Sequence, residues 1–200
     1  IVNLINIEGG ELVSSVLTYR EKEKEAKFIF LTTKKGTVKK SSIAEFANIR
    51  RNGLTAIKLN QGDELCWAKL TDGTQEVILV SHEGKSIKFS EKQARPMGRD
   101  TMGVRGIKLA ASDFVIGMDV VNDTKASLLV VMGKGLGKQS PLADFPKQGR
   151  GGQGVKVCQV TERTGKVVFT QIIPEEAVAL ILTSTKGQVV KVPIDQIPRL

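Results

Sequence analysis

Four segments of this chain lie over one another by eye. Residues 28–46 read FIFLTTKKGTVKKSSIAEF, 77–89 read VILVSHEGKSIKF, 128–145 read LLVVMGKGLGKQSPLADF and 178–192 read VALILTSTKGQVVKV. Each is a short apolar run, a turn ending in glycine and a polar, basic run. The shared glycines are Gly36, Gly84, Gly135 and Gly187, spaced 48, 51 and 52 residues apart. A period of this length marks one supersecondary unit used several times, so the architecture is constrained before any single residue is interpreted.

The second half of each unit repeats as well. Residues 53–59 read GLTAIKL, 103–109 read GVRGIKL and 151–157 read GGQGVKV, while Val2, Asn3 and Leu4 read as the tail of the same element. Asp63 and Asp113 stand 50 residues apart. Short runs rich in Val, Ile, Leu and Thr, bounded by Gly, Asn, Asp or Lys, predict strands. They fall at 28–32, 37–41, 54–59, 65–71, 77–81, 85–89, 104–109, 115–121, 128–132, 136–140, 155–160, 166–173, 178–183 and 188–192. Four strands per repeat is the count of one propeller blade. Helix is expected only as single turns at Ser41–Phe46, Glu91–Ala94, Ser140–Phe145 and Ile194–Ile197. The chain then reads as one array: 1–18 the end of a blade, 27–73, 76–124 and 127–174 full blades, and 177–200 the start of another. The charge run at 19–27 reads as a solvated loop. Opening inside a repeat without an initiator Met, the chain is expected to be a fragment.

Composition narrows the function. Aromatics make up 4% of residues, so the core must be aliphatic and β-branched. No apolar run approaches the roughly 18 residues that a membrane-spanning helix needs, and no signal-peptide pattern opens the chain. The two cysteines, Cys66 and Cys158, form no CxxC, and the single His82 offers no metal set. The net charge of +9 favours a polyanionic partner.

Basic residues gather in the turn, the second strand and the following loop of each unit. Repetition should place them as a stripe, which suits a long polyanion better than a point ligand. The expected contacts are Lys34, Lys35, Lys39, Lys40, Arg50, Arg51, Lys85, Lys88, Arg95, Arg99, Arg105, Lys134, Lys138, Lys147 and Arg150. Lys58, Lys92, Lys108 and Lys156 belong to the same clusters. The alternative for any single lysine is plain edge protection of a strand. Gln148, Gly149, Arg150, Gly151, Gly152, Gln153 and Gly154 form a glycine loop. Such a loop can approach phosphates through its N–H groups, but its composition equally describes a flexible connection, and it is no P-loop.

Catalytic constellations are lacking. There is no GxSxG, no HExxH and no Cys/His pairing. Tyr19, the only tyrosine, sits in the charge run. Trp67 reads as packing in its strand.

GTVKKSSIAEF (36–46), RPMGRDTMGVRGIKL (95–109) and QGRGGQGV (148–155) strongly resemble the C-terminal domain of the DNA gyrase A-type chain. The corresponding domain of topoisomerase IV is the near relative, and the resemblance covers essentially the whole chain. It implies an all-β fold, a six-bladed β-pinwheel in which neighbouring blades exchange strands, here as a partial array. It implies duplex DNA wrapped on a basic rim without sequence preference, in support of negative supercoiling by a type II topoisomerase. It implies no catalytic residue and no cofactor in this chain, since the cleavage gate lies in the N-terminal part of the gyrase A protein, while ATP, with Mg2+, belongs elsewhere in the complex. The implied partners are duplex DNA, that N-terminal cleavage domain and the gyrase B protein, in the bacterial cytoplasm at the nucleoid. The loop 148–154 resembles the family's wrapping motif QRRGGKG in a later blade, with Gly149 and Gln153 in place of basic residues. The loop and the PMGRDTMGVRG stretch favour gyrase over topoisomerase IV. Two other classes stay open on the residues alone: a propeller-like scaffold for acidic proteins, and an enzyme with a site at the propeller centre.

Overall fold

A computed structural model describes residues 13–18, 26–48 and 53–200. Thirteen strands are described: β1 (Phe28–Thr33), β2 (Thr37–Ser42), β3 (Leu65–Thr71), β4 (Glu76–Ser81), β5 (Lys85–Ser90), β6 (Val104–Arg105), β7 (Val115–Val121), β8 (Ser127–Met132), β9 (Gly137–Pro141), β10 (Val155–Lys156), β11 (Val167–Ile173), β12 (Ala179–Thr183) and β13 (Val189–Pro193). Each hairpin closes at its repeat glycine. Gly36, Gly84, Gly135 and Gly187 take φ of 82°, 75°, 83° and 80°, a region a Cβ makes costly. At Gly36 a Cβ would also stand 2.8 Å from Ile107 Cγ2. Asp63 braces the first turn, accepting from Thr33 Oγ1 at 2.7 Å and Lys35 N at 2.9 Å. Asp113 braces the second, accepting from Glu83 N at 3.0 Å. The 50-residue spacing of these two aspartates thus serves the turns.

The first sheet has the order β3-β1-β2-β6, the second β10-β5-β4-β7, the third β11-β8-β9, and β12-β13 pair alone. All ladders are antiparallel. β4 shows why its sequence is a continuous apolar run: it is buried on both faces. Val77 and Leu79 join Phe30, Val38 and Phe89 in a cluster toward the first sheet. Ile78 and Val80 join Leu128, Val130 and Phe145 toward the third. Trp67 packs, partly buried, on the first cluster. Burying one such Leu or Val contributes about 1.5–3 kcal/mol.

Single 3₁₀ turns follow β2, β5, β9 and β13 at Ile43–Phe46, Glu91–Gln93, Leu142–Asp144 and Ile194–Gln196. The chain then crosses to the preceding sheet. Met97 N donates to Lys40 O, Gln148 N to Lys88 O and Leu200 N to Gln139 O, each at 2.8 Å. From there it enters the exchanged strands. β6 comes from the second repeat but pairs with β2 of the first, and β10 from the third repeat pairs with β5 of the second.

This crossing corrects two expectations. Residues 104–109 and 155–160 form two-residue strands, β6 and β10, instead of full ones. Residues 54–59 form none. The sheets are not contiguous in sequence, in keeping with the exchange of strands that the resemblance implies: the first two each carry an edge strand from the repeat that follows. Finally, Gly154, not Gly151, is the counterpart of Gly103. Arg105 stands opposite Thr37 and Lys156 opposite Lys85, each the first residue after its turn glycine. A Cβ on Gly103 would lie 2.4 Å from Val38 O and one on Gly154 2.3 Å from Ser86 O, so both glycines admit the crossing backbone. The repeat therefore runs GVRGIKL onto GVKVCQV, three residues from the alignment by eye. The expectations for 1–12, for Tyr19 and for most of the 19–27 run lie outside the described residues.

The sheets converge on one edge. β7 lies against both β3 and β11. Asp119 on β7 accepts from Ile172 N at 3.0 Å and meets Lys69 Nζ at 3.1 Å. The opposite edge of the first two sheets carries β6 and β10. That edge is the outer rim.

Candidate nucleic-acid interface

The outer rim is built from two repeating pieces: an exchanged strand and the loop before it. Counting from the crossing bonds of Met97 and Gln148, the loop 97–103 and the glycine loop 148–154 are the same element of successive repeats. Arg99 and Arg150 then share one position, and Arg105 and Lys156 another. Arg105 and Lys156 are both exposed. Each loop leans on the corresponding segment of the preceding repeat: Lys58 N donates to Thr101 O at 3.1 Å, Lys108 N to Gly152 O at 2.8 Å and Gly151 N to Gly106 O at 2.7 Å. The loops therefore form a continuous row joined by backbone bonds. The glycine loop is anchored and not a slack connection. Arg150 N–H donates to Gln93 Oε1 at 2.6 Å and its guanidinium to Gln93 O and Arg105 O. Gln93 Nε2 donates to Gln148 O at 3.2 Å.

The expected contact residues within the described chain are exposed, half-buried or buried. Lys35, Arg95, Arg105, Lys134 and Lys147 are exposed, while Lys34, Lys85, Arg99, Lys138 and Arg150 are half-buried. Lys34 is paired with Glu64 at 3.2 Å, and Lys147 with Glu76 at 2.9 Å. Lys35 Nζ donates to Gln61 O at 3.0 Å. Lys34, Lys35, Arg105 and Lys108 line a cleft of about 700 Å³ beside the first turn. Arg50 and Arg51 lie outside the described residues. Lys156 and Lys108 are rim residues that the expected contact set omits; their register against Lys85 and Gly152 is invisible until the strand exchange is known.

Lys39, Lys40 and Lys88 correct the expectation. They are 0%, 3% and 9% exposed, and their ammoniums are engaged inside the protein. Lys40 Nζ donates to Glu91 O at 2.9 Å and meets the Glu91 carboxylate at 3.5 Å. Glu91, fully buried, also accepts from Thr71 Oγ1 at 2.8 Å, Gly73 N at 2.9 Å and Gln75 N at 3.0 Å. Lys88 Nζ donates to Leu142 O at 2.9 Å. Gln139 holds the same position in the third repeat, its Nε2 donating to Ile194 O at 3.1 Å and Ile197 O at 3.0 Å. In each case a side chain four residues past the turn glycine reaches the 3₁₀ turn of the next repeat. These are latches between sheets. The cause is the burial of β2 and β5 on both faces, which leaves a lysine there no path to solvent. Lys39, on the other face of β2, donates to Ala56 O at 2.8 Å, Thr101 O at 3.0 Å and Arg99 O. Burial, aided by the nearby Arg99 charge, lowers its pKa below the ordinary lysine value, against the pull of Asp100 and Glu45.

Among the described residues no group of three His, Cys, Asp or Glu could hold a metal ion, and no helix is long and apolar enough to cross a membrane. Burial pushes both the Cys66 and the Cys158 thiol up. His82 stacks on Phe114 with ring centroids 4.5 Å apart and shares a 2.6 Å bond between Nδ1 and Val167 O, a packing role.

Comparison with known proteins gives one answer. The model of the DNA gyrase C-terminal domain, a beta-propeller, matches residues 27–72, 75–122, 128–174 and 179–200. The DNA gyrase A protein of Staphylococcus aureus (strain MRSA252) is 35% identical over 198 residues, which is 98% of this chain and 22% of that protein. The DNA gyrase A protein of Staphylococcus epidermidis (strain ATCC 12228) is 33% identical over the same shares. The chain thus spans 22% of the length of the curated relatives it matches. Among solved structures, the C-terminal domain of a DNA topoisomerase IV superposes with a TM-score of 0.89 at 23% identity, covering all of this chain and 62% of that one. A DNA gyrase A C-terminal domain gives 0.86 at 23% identity, covering all of this chain and 66% of that one.

Proposed function

The chain belongs to the DNA gyrase C-terminal domain family, and from that premise we propose that it binds duplex DNA without sequence preference and wraps it along the outer rim. The carrying observation is the repetition of cationic positions on that rim: Arg99 with Arg150, and Arg105 with Lys156, one pair per repeat along a row of joined loops. Charge recurring along one row suits a polymer of phosphates. Few aromatics accompany the charge, which argues against base stacking on single strands.

The parent protein is then a gyrase A chain, part of an ATP-dependent type II topoisomerase that introduces negative supercoils. In that setting the chain bends DNA toward the N-terminal cleavage domain, with the gyrase B protein supplying ATP hydrolysis, in the bacterial cytoplasm at the nucleoid. The 33–35% identity to gyrase A proteins supports gyrase over topoisomerase IV. The chain itself is non-catalytic and works without a cofactor.

The test is a salt titration with mixed-sequence duplexes. If roughly 6–10 phosphates are neutralised, log K falls with log salt at a slope of about −0.9 per phosphate. An affinity independent of salt, or one confined to a single sequence, defeats the proposal.

A further inference from the structure

The two rim loops hold their arginines differently. In the glycine loop, Arg150 folds onto its own scaffold, its guanidinium donating to Gln93 O and Arg105 O. In the loop 97–103, Arg99 shows no such bond among the described residues. That loop is instead held from beneath by Lys39. Its ammonium collects the carbonyls of Arg99 and Thr101 on the loop and of Ala56 on the neighbouring segment. Three acceptors are what an ammonium with three protons can satisfy. The group is fully buried, so these bonds replace water entirely. The second repeat carries Ile87 at the corresponding position, near Gly152, and there the arginine supplies the internal bonds.

We infer that Lys39 is a positioning residue for duplex binding: it fixes the loop 97–103 from inside the protein and so leaves the Arg99 side chain available for phosphate. This rests on the proposed binding of duplex DNA. Lys39 itself touches no phosphate, because no part of it reaches the surface. Its lowered pKa agrees with an ammonium shut away from water.

The test uses Lys39→Ile, which places the residue of the second repeat in the first, with Arg99→Gln and the double variant. Two readouts are taken: amide exchange by mass spectrometry, and affinity for a mixed-sequence duplex across salt. Lys39→Ile should raise exchange of the amides at 98–103 about tenfold or more while leaving β4 and β5 protected. Its affinity should fall by about the same factor as that of Arg99→Gln, roughly three- to tenfold, with the salt slope reduced by about one unit in each. The double variant should be no weaker than the weaker single one. Additive losses of affinity and slope, with loop exchange unchanged, would make Lys39 a direct contact and overturn the inference. Faster loop exchange with affinity intact would overturn it too, by removing the loop from the binding surface. Should Lys39→Ile lose β4 and β5 protection, Lys39→Met gives the same readouts with a straight chain of similar length. Absence of duplex binding by the unaltered chain would instead defeat the proposed function, and the exchange readout would still report whether Lys39 holds the loop.

Discussion

Where the first and second sheets meet, a buried ammonium reaches a buried carboxylate. Where the third sheet meets the last hairpin, the same position carries an amide that reaches two carbonyls. Lys40 and Gln139 perform one geometric task with different chemistry. The fold therefore requires a long donor there, not a charge. Charge adds an obligation: Glu91 must stay in place because Lys40 cannot reach water. Continuum reasoning makes such a pair weak evidence for stability while intact and costly once broken. The first junction should then be more fragile to single changes than the third, although not stronger.

The sharpest attack on this contrast is Glu91→Ala. It removes the carboxylate facing Lys40 and unpairs Thr71 Oγ1, Gly73 N and Gln75 N, and should cost about 3–5 kcal/mol in urea unfolding. A loss under about 1 kcal/mol would dissolve the distinction between the junctions. The paired change Lys40→Gln with Glu91→Ile imitates the third junction and should recover a good part of that loss, leaving about 1–3 kcal/mol for the unpaired Thr71 hydroxyl and the Gly73 and Gln75 amides. Gln139→Ala removes two neutral bonds and should cost about 1–3 kcal/mol. A loss as large as that of Glu91→Ala would mean that charge is irrelevant to fragility. Lys88→Gln, which turns the middle latch into the amide form, should lower stability in urea by less than about 1 kcal/mol, since the bond to Leu142 O can be remade. Lys34→Ala, at the half-exposed Lys34–Glu64 pair, should stay within about 0.5 kcal/mol.

Much of this architecture is legible in the sequence, for identifiable reasons. Strands β3 and β7 fall at 65–71 and 115–121, the bounds the sequence predicts, and the four turn glycines mark the four hairpins. These are local signals. What escapes is non-local. The crossing strands pair with the preceding repeat, so their true register depends on Val38 and Ser86, far upstream. Glycines in QGRGGQG then draw the eye three residues away from the match. The latches escape for a related reason. Lysine in a strand reads as a solvated edge, but TVKKSS and KSIKFS are buried on both faces. One hint is present: Lys40, Lys88 and Gln139 all stand four residues past a turn glycine, and replacement of lysine by glutamine at a recurring position points to hydrogen bonding more than to charge. Of the rim itself, the sequence discloses which residues are basic. Which of them share a position is set by the exchange.

That exchange also orders events in time. On a ribosome, Thr37 and Val38 emerge well before their partners Arg105 and Val104, which appear only after the whole second hairpin has been made. The first sheet cannot be finished by its own repeat, and each later repeat completes the one before it. At synthesis speeds of about 5–20 residues per second, the growing chain holds an open edge for several seconds at a time. Pairings this distant in sequence slow folding and make each repeat the guardian of its predecessor, so assembly proceeds as a zipper whose teeth always arrive one repeat late.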